Sequence, residues 1–339
     1  MGPFLFFYIF EIMDYIKYIL ISILIISSCN KKTVEEEEYS QEEVIVVEFP
    51  ELGSDGPYEL NKVYNGVGNY TTYYPGNSPI ILSAPHGGDL TPDDIPNRTW
   101  GTTVTDTNTK QLTLAIMNFL DSNYNIKPHV IINNLKRTKL DANRDKAEAA
   151  QGDVSAERAF DEYHFYISKA KEKILSQYND GLFLDIHGHG QNPDGFYDLR
   201  TWLGYLLSSS ELDQSDEQLD TEFDISESSI YGLVNKSPEK FSEVLRGPNS
   251  FGNLLEERGY ESLPSIESPS PEGMRYFSGG YNTYVHGSVN TGGSISSIQL
   301  EMPAPGIRQN ASQWNDFASA LSEVLIIYFK VHLDIDLVN

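Results

Sequence analysis

The chain has 339 residues, enough to bury a full core, and its 49 acidic against 24 basic residues give a net charge of −25. That balance repels phosphates and argues against nucleic acid or anionic membrane surfaces as partners. Cys29 is the only cysteine, so no intrachain disulfide can form, thiolate metal sites are excluded, and any metal must be held by His, Asp and Glu.

Taken in order, the chain opens with an apolar run from Tyr18 to Ile26, preceded by Lys17 and followed by Ser27-Ser28-Cys29. This is the layout of a secretion signal, and Ile26-Ser27-Ser28-Cys29 resembles a lipobox, in which the cysteine becomes the lipidated first residue. Residues 1–28 are therefore expected to be a lipoprotein signal peptide, with a plain transmembrane anchor as the alternative. On this basis the folded part lies outside the cytoplasm, on the periplasmic or cell-surface side, and meets the membrane only through lipid on Cys29. Residues 29–54, with Glu35 to Glu38, Glu42 and Glu43, form an acidic tether. Val44 to Val47 is an edge strand or part of that linker.

The domain is placed at 55–339. Pro79 to Ala84 reads as a buried strand that stops at Pro85-His86-Gly87-Gly88. Asp106 opens a helix whose residues Leu112, Ala115, Ile116, Phe119 and Leu120 share one face. His129 to Leu135 is the next strand, and it delivers the donor-rich segment Lys136 to Asp145. Ala156, Ala159, Phe160, Tyr163, Ile167, Ala170 and Ile174 mark an amphipathic helix. It leads into the apolar run Leu182 to Ile186, which breaks at His187-Gly188-His189-Gly190. Residues 191–293 are less periodic, with a helix expected from Pro238 to Glu257, and read as an insertion that shapes or covers a pocket. Ser294 to Met302 returns to strand pattern with Glu301 at its end, and a last helix carries Trp314, Phe317, Leu321, Leu325 and Tyr328. Strands alternating with helices point to an α/β sheet with helices on its faces and ligands at the strand ends.

Two of those strand ends carry His86, His187 and His189. A catalytic zinc takes three ligands from His and Asp/Glu and leaves a position for water, so His86, His187 and one carboxylate would suffice. Spacing favours Asp89, in a compact His-x-x-Asp; Asp106 lies farther on, at the predicted helix start. As simple alternatives, Asp89 is a turn residue and Asp106 an N-cap. Glu301 is suited to accept a proton from water. Arg137 and Arg144, which bracket Asp141 and Asn143, suit recognition of carboxylates and oxyanions.

Pro85-His86-Gly87-Gly88, the Asp106 helix start, Arg137-Thr138-Lys139-Leu140-Asp141-Ala142-Asn143-Arg144, Asp185-Ile186-His187 and Ile298-Gln299-Leu300-Glu301 together resemble, in this order, the N-formylglutamate amidohydrolase family. Its wider kin are the zinc carboxypeptidases and aspartoacylases. The resemblance spans about 80 to 310. It implies a three-layer α/β/α fold with a mixed central sheet, zinc carboxypeptidase-like, and a Zn2+ cofactor. It makes His86, Asp106 and His187 the ligands, choosing Asp106 over Asp89. It also implies Glu301 as general base, Arg137 as the group that polarises the scissile carbonyl, and Asn143 with Arg144 as the anchor for a substrate carboxylate. The chain departs from the family's Asp-x-His-Ser at Gly188-His189 and from its Glu-x-Arg at Met302-Pro303. His189, Tyr281 and His286 are further candidates for the pocket.

Two functions follow. One is a zinc-dependent hydrolase cleaving an amide, or an ester, beside the carboxylate of a small-molecule or peptide-like substrate. The other is a membrane-tethered binding protein on a hydrolase scaffold, which captures acidic peptide or glycan fragments without turnover.

Overall fold

The computed structural model describes residues 47–191 and 195–338. The signal segment, Cys29, the acidic run of the tether and all but Val47 of the expected edge piece lie outside the described residues. Among the described residues no helix is long and apolar enough to cross a membrane. Packing begins before position 55, where the Arg158 guanidinium lies over the Phe49 ring.

The centre of the domain is a mixed sheet of eight strands: β1 (Tyr64–Asn65), β2 (Thr71–Tyr74), β3 (Ile80–Ala84), β4 (His129–Asn133), β5 (Gly181–Gly188), β6 (Thr201–Gly204), β7 (Ser262–Leu263) and β8 (Ile295–Met302). Their spatial order is β1-β2-β4-β3-β5-β8-β6-β7. β4, β3, β5 and β8 are parallel neighbours, β2 joins β4 antiparallel, and β6 joins β8 antiparallel. The parallel strands are buried along their length, which is why they read as unbroken apolar runs in the sequence.

Four helices matter here: α1 (Thr109–Tyr124), α2 (Val154–Leu175), α3 (Tyr281–His286) and α4 (Ala311–Leu333). Side chains alternate across a strand, so Ile80, Leu82, Leu184, Ile186, Ile298 and Leu300 face one layer, where Leu112, Ile116 and Leu120 of α1 meet Phe317, Leu321 and Leu325 of α4. Ile81, Ile131 and Phe183 face the other, packed by Ala156, Ala159, Tyr163, Ile167 and Ala170 of α2. Asp153 caps α2 by accepting from Ser155 N and Ala156 N. The result is the expected three-layer α/β/α arrangement around a mixed sheet.

The less periodic segment does more than cover a pocket, because it adds β6 and β7 to the sheet itself. The helix expected from Pro238 to Glu257 is two short helices, Phe241–Arg246 and Phe251–Glu256, broken at Gly247-Pro248 where proline cannot continue the first. The chain leaves β3 toward β4 on one side and returns from β4 to β5 on the other. The carboxyl ends of β3 and β5 therefore flank the point where the winding reverses, which is where a crevice opens in such a sheet.

Candidate metal centre and active site

His86 follows β3 and His187 is the seventh residue of the neighbouring β5, so both imidazoles stand at that crevice. Asp106 arrives on the loop before α1, drawn in by its backbone N–H, which donates to His86 O at 3.1 Å. It is not the helix cap; Asn108 occupies that position. One oxygen of Asp106, Oδ2, lies 3.3 Å from His86 Nδ1 and 3.2 Å from His187 Nδ1. The three side chains are buried, and their candidate ligand atoms all lie within 4.8 Å of one another.

The opposite ring nitrogens decide what this cluster needs. His86 Nε2 donates to Asp141 Oδ1 at 2.6 Å, and His187 Nε2 donates to Asp185 Oδ2 at 2.7 Å. Each carboxylate thereby fixes a tautomer in which Nδ1 carries a lone pair. Two imidazole lone pairs and a carboxylate oxygen then face one another, an arrangement that calls for a cation between them. Ligands about 2.0–2.2 Å from an ion in tetrahedral geometry would stand roughly 3.3–3.6 Å apart, close to the separations seen. The donor set suits a divalent transition metal.

The charges agree with that demand. Burial alone would lower the His187 pKa, yet Asp185, Asp106 and Glu301 raise it to about 10. Burial opposes ionisation of Asp106, but His86 and His187 hold it well below the usual carboxylate range. Asp141 is held low in the same way by His86 and Arg137. The site stabilises positive charge at its centre.

Period-2 alternation builds the rest of the wall. Ser83 pairs with Asp185 across β3 and β5, and Asp185 with Gln299 and His187 with Glu301 across β5 and β8, so all five share one face. Ser83 Oγ donates to Asp185 in a very short hydrogen bond, and Gln299 Nε2 donates to Glu301 Oε1 at 3.0 Å. Burial raises the Glu301 pKa to about 7; Asp106 adds to this and His187 opposes it.

A cavity of about 420 Å³ opens over the cluster, lined by His86, Asp106, Arg137, Asn143, Arg144, His187, His189 and Glu301. Arg137 donates from Nε to Asp141 at 2.9 Å, and its Nη1 lies 3.6 Å from Asp106 Oδ1. Asn143 is buried; its Oδ1 accepts from Asn282 N at 2.8 Å and its Nδ2 lies 3.3 Å from His187 Nε2. Arg144 is the more open group, about one third exposed and 3.4 Å from Glu148. His189 stacks on Trp202 with ring centroids 3.9 Å apart, and burial lowers its pKa.

Other candidates fall elsewhere. Asp89 is exposed and outside the cluster: after the turn at Gly87-Gly88 the chain runs alongside β4, where Leu90 N donates to Asn134 O. His286 pairs with His164 at 2.8 Å, and Tyr281 packs against Phe160 and His164, so both fasten α3 to α2. Sequence reasoning did not assign Asp141 and Asp185 as orienting carboxylates, nor Gln299, Arg308 or Arg275, which lies over the Phe277 ring at the cavity wall. For Asp185 the signal was there, two residues before His187 on one strand face.

No protein-family model matches the chain, and a search of curated proteins finds no match. Among solved structures it is similar to an N-formylglutamate amidohydrolase from Ralstonia eutropha JMP134, with 16% identity and a TM-score of 0.47 over 78% of this chain and 99% of that one. A gene product of Agrobacterium tumefaciens gives 9% identity and a TM-score of 0.42 over 74% and 90% of the two chains. A metallo-carboxypeptidase from Pseudomonas aeruginosa gives 13% and 0.37 over 81% and 64%. These are likenesses of backbone, and the chemistry rests on the side chains present here.

Proposed function

We propose that this protein is a zinc-dependent hydrolase that cleaves an amide bond beside a substrate carboxylate, in the manner of an N-formylglutamate amidohydrolase. The observation that carries this is the convergence of His86 Nδ1, His187 Nδ1 and Asp106 Oδ2, with Glu301 in register beside His187. A zinc ion held there would supply a Lewis acid and lower the pKa of a water toward neutrality.

The chain's own groups divide the remaining work. Glu301, buried and fixed through one oxygen by Gln299, takes the proton of the attacking water and passes it to the leaving amine. Arg137 offsets the negative charge of Asp106 and Asp141 and stands in the cavity wall where the substrate carbonyl would gain charge. Arg144 and the amide of Asn143 offer donors to a carboxylate, and Arg275 adds a further cation on the same wall. The cavity volume fits an acylated amino acid or a short peptide-like group. The polypeptide itself is assigned to the outer side of a membrane, held by lipid on Cys29, from the motif Ile26-Ser27-Ser28-Cys29.

The test is turnover by the zinc-loaded protein on N-formyl-L-glutamate and a panel of N-acyl amino acids, each beside its α-carboxamide. Hydrolysis that requires the carboxylate, and that Glu301→Gln abolishes, is the expected result. Zinc binding with no hydrolysis across the panel would favour the binding protein instead. Loss of acyl labelling in Cys29→Ser tests the anchor.

A further inference from the structure

Arg308 is 4% exposed and has no carboxylate within ion-pair distance among the described residues. Its guanidinium is spent on backbone carbonyls instead: Nε donates to Met302 O at 3.0 Å, Nη2 to His189 O at 2.8 Å, and Nη1 to Thr107 O in a very short hydrogen bond. Each acceptor belongs to a different segment of the metal centre. Thr107 follows Asp106, His189 is two residues past His187, and Met302 follows Glu301. Burying a guanidinium without a carboxylate partner is costly, and here the three hydrogen bonds to carbonyls offset part of that cost. Its own carbonyl is held as well, by Asn108 Nδ2 at 2.8 Å and Trp314 Nε1 at 3.0 Å, so the residue is fixed from both ends.

Gly188 makes room for it. The three atoms nearest to a Cβ at position 188 would all belong to the Arg308 guanidinium and would overlap it, so a side chain there would displace the guanidinium from the three carbonyls. The absence of a side chain between His187 and His189 is therefore explained by an arginine more than a hundred residues away.

We infer that Arg308 is a positioning residue for the metal centre: its fork, seated on Gly188, locks the segments bearing Asp106, His187 and Glu301 into one geometry. This rests on the metal-dependent hydrolase proposed above. Ligands held loosely bind an ion more weakly, and outer hydrogen bonds of this kind are typically worth about 10–100-fold in metal affinity.

The experiment uses the full chain and compares wild type, Arg308→Lys, Arg308→Ala, Gly188→Ala and the double variant Gly188→Ala/Arg308→Ala. Zinc affinity is read by competition with a chromophoric chelator, and ligand geometry by the visible d–d bands of the cobalt-loaded protein. The unfolding midpoint of the metal-free protein reports folding. Each single variant should weaken zinc binding about tenfold or more and shift the cobalt bands. The double variant should match Arg308→Ala, because no guanidinium remains for the new methyl group to displace. Arg308→Lys, which keeps the charge and the stem, carries the comparison where the alanine variant fails to fold. Unchanged zinc affinity and cobalt bands in folded Arg308→Lys, or losses that multiply in the double variant, would overturn the inference. A wild-type protein that binds no zinc removes the functional proposal and this inference with it, an outcome plainly different from a zinc-binding wild type with unaffected variants.

Discussion

His187 and Glu301 stand opposite one another in the β5–β8 ladder, each the last residue but one of its strand. Parallel pairing thus puts a metal-ligating imidazole and a buried carboxylate on the same face, while their strands are joined through more than a hundred residues of chain. Replacing Glu301 with Gln keeps its shape and removes its basicity. Turnover should fall about 10²–10⁴-fold with metal content unchanged, as measured by steady-state kinetics and elemental analysis on one preparation. Turnover within a few-fold of wild type would remove Glu301 from the proton transfers.

Asp141 and Asp185 each hold a distal imidazole nitrogen. Asp185→Asn or Asp141→Asn lowers the basicity of the ligating ring and turns a fixed acceptor into a group that can rotate. Zinc affinity should drop about 10–100-fold in either variant. Competition with a chelator measures it, and equal affinity in both variants and wild type would show that the carboxylates do not orient the ligands.

The two candidate acidic ligands separate cleanly. Asp106→Ala should abolish stoichiometric metal binding, whereas Asp89→Ala, at an exposed position beyond the Gly87-Gly88 turn, should leave metal content and turnover within about twofold. The reverse pattern would move the third ligand to Asp89.

Acid should destabilise the fold before the carboxylates titrate. His129 accepts at Nδ1 from Gly76 N and Tyr73 Oη, and burial, aided by Lys173, lowers its pKa to about 3. Burial likewise lowers His164 to about 4, and the His164–His286 hydrogen bond is lost only when both rings are protonated. These groups bind protons in the unfolded chain near pH 6.5 but not in the folded one, so their stabilisation is complete above that pH and is lost as pH falls toward their folded values. Each contributes a slope of roughly 1.4 kcal/mol per pH unit over that window. Urea midpoints between pH 7 and 5 should fall, and the slope should be shallower in His129→Gln; an identical slope in that variant would contradict the account.

Much of this was legible in the sequence because buried parallel strands leave an unmistakable trace. The apolar runs ending at His86, His187 and Glu301 located three strand ends, and the amphipathic helices between them implied the α/β/α layers. β1, β2, β6 and β7 were missed, being too short, at two or four residues each, to show any period. Spacing preferred Asp89 to Asp106 because nothing local reveals that Asp106 N reaches back to His86 O. Asp141 meets His86 only through tertiary structure, across 55 residues. Arg308 left no trace, since its partners are backbone carbonyls that any residue could present.

The convergence of His86 Nδ1, His187 Nδ1 and Asp106 Oδ2 is tested most directly by the zinc content of the purified full chain beside its His86→Ala and His187→Ala variants, after dialysis without chelator. About one zinc per wild-type chain, lost in both variants while they remain folded, is the predicted result. Wild type without metal, or variants that keep it, would contradict the account.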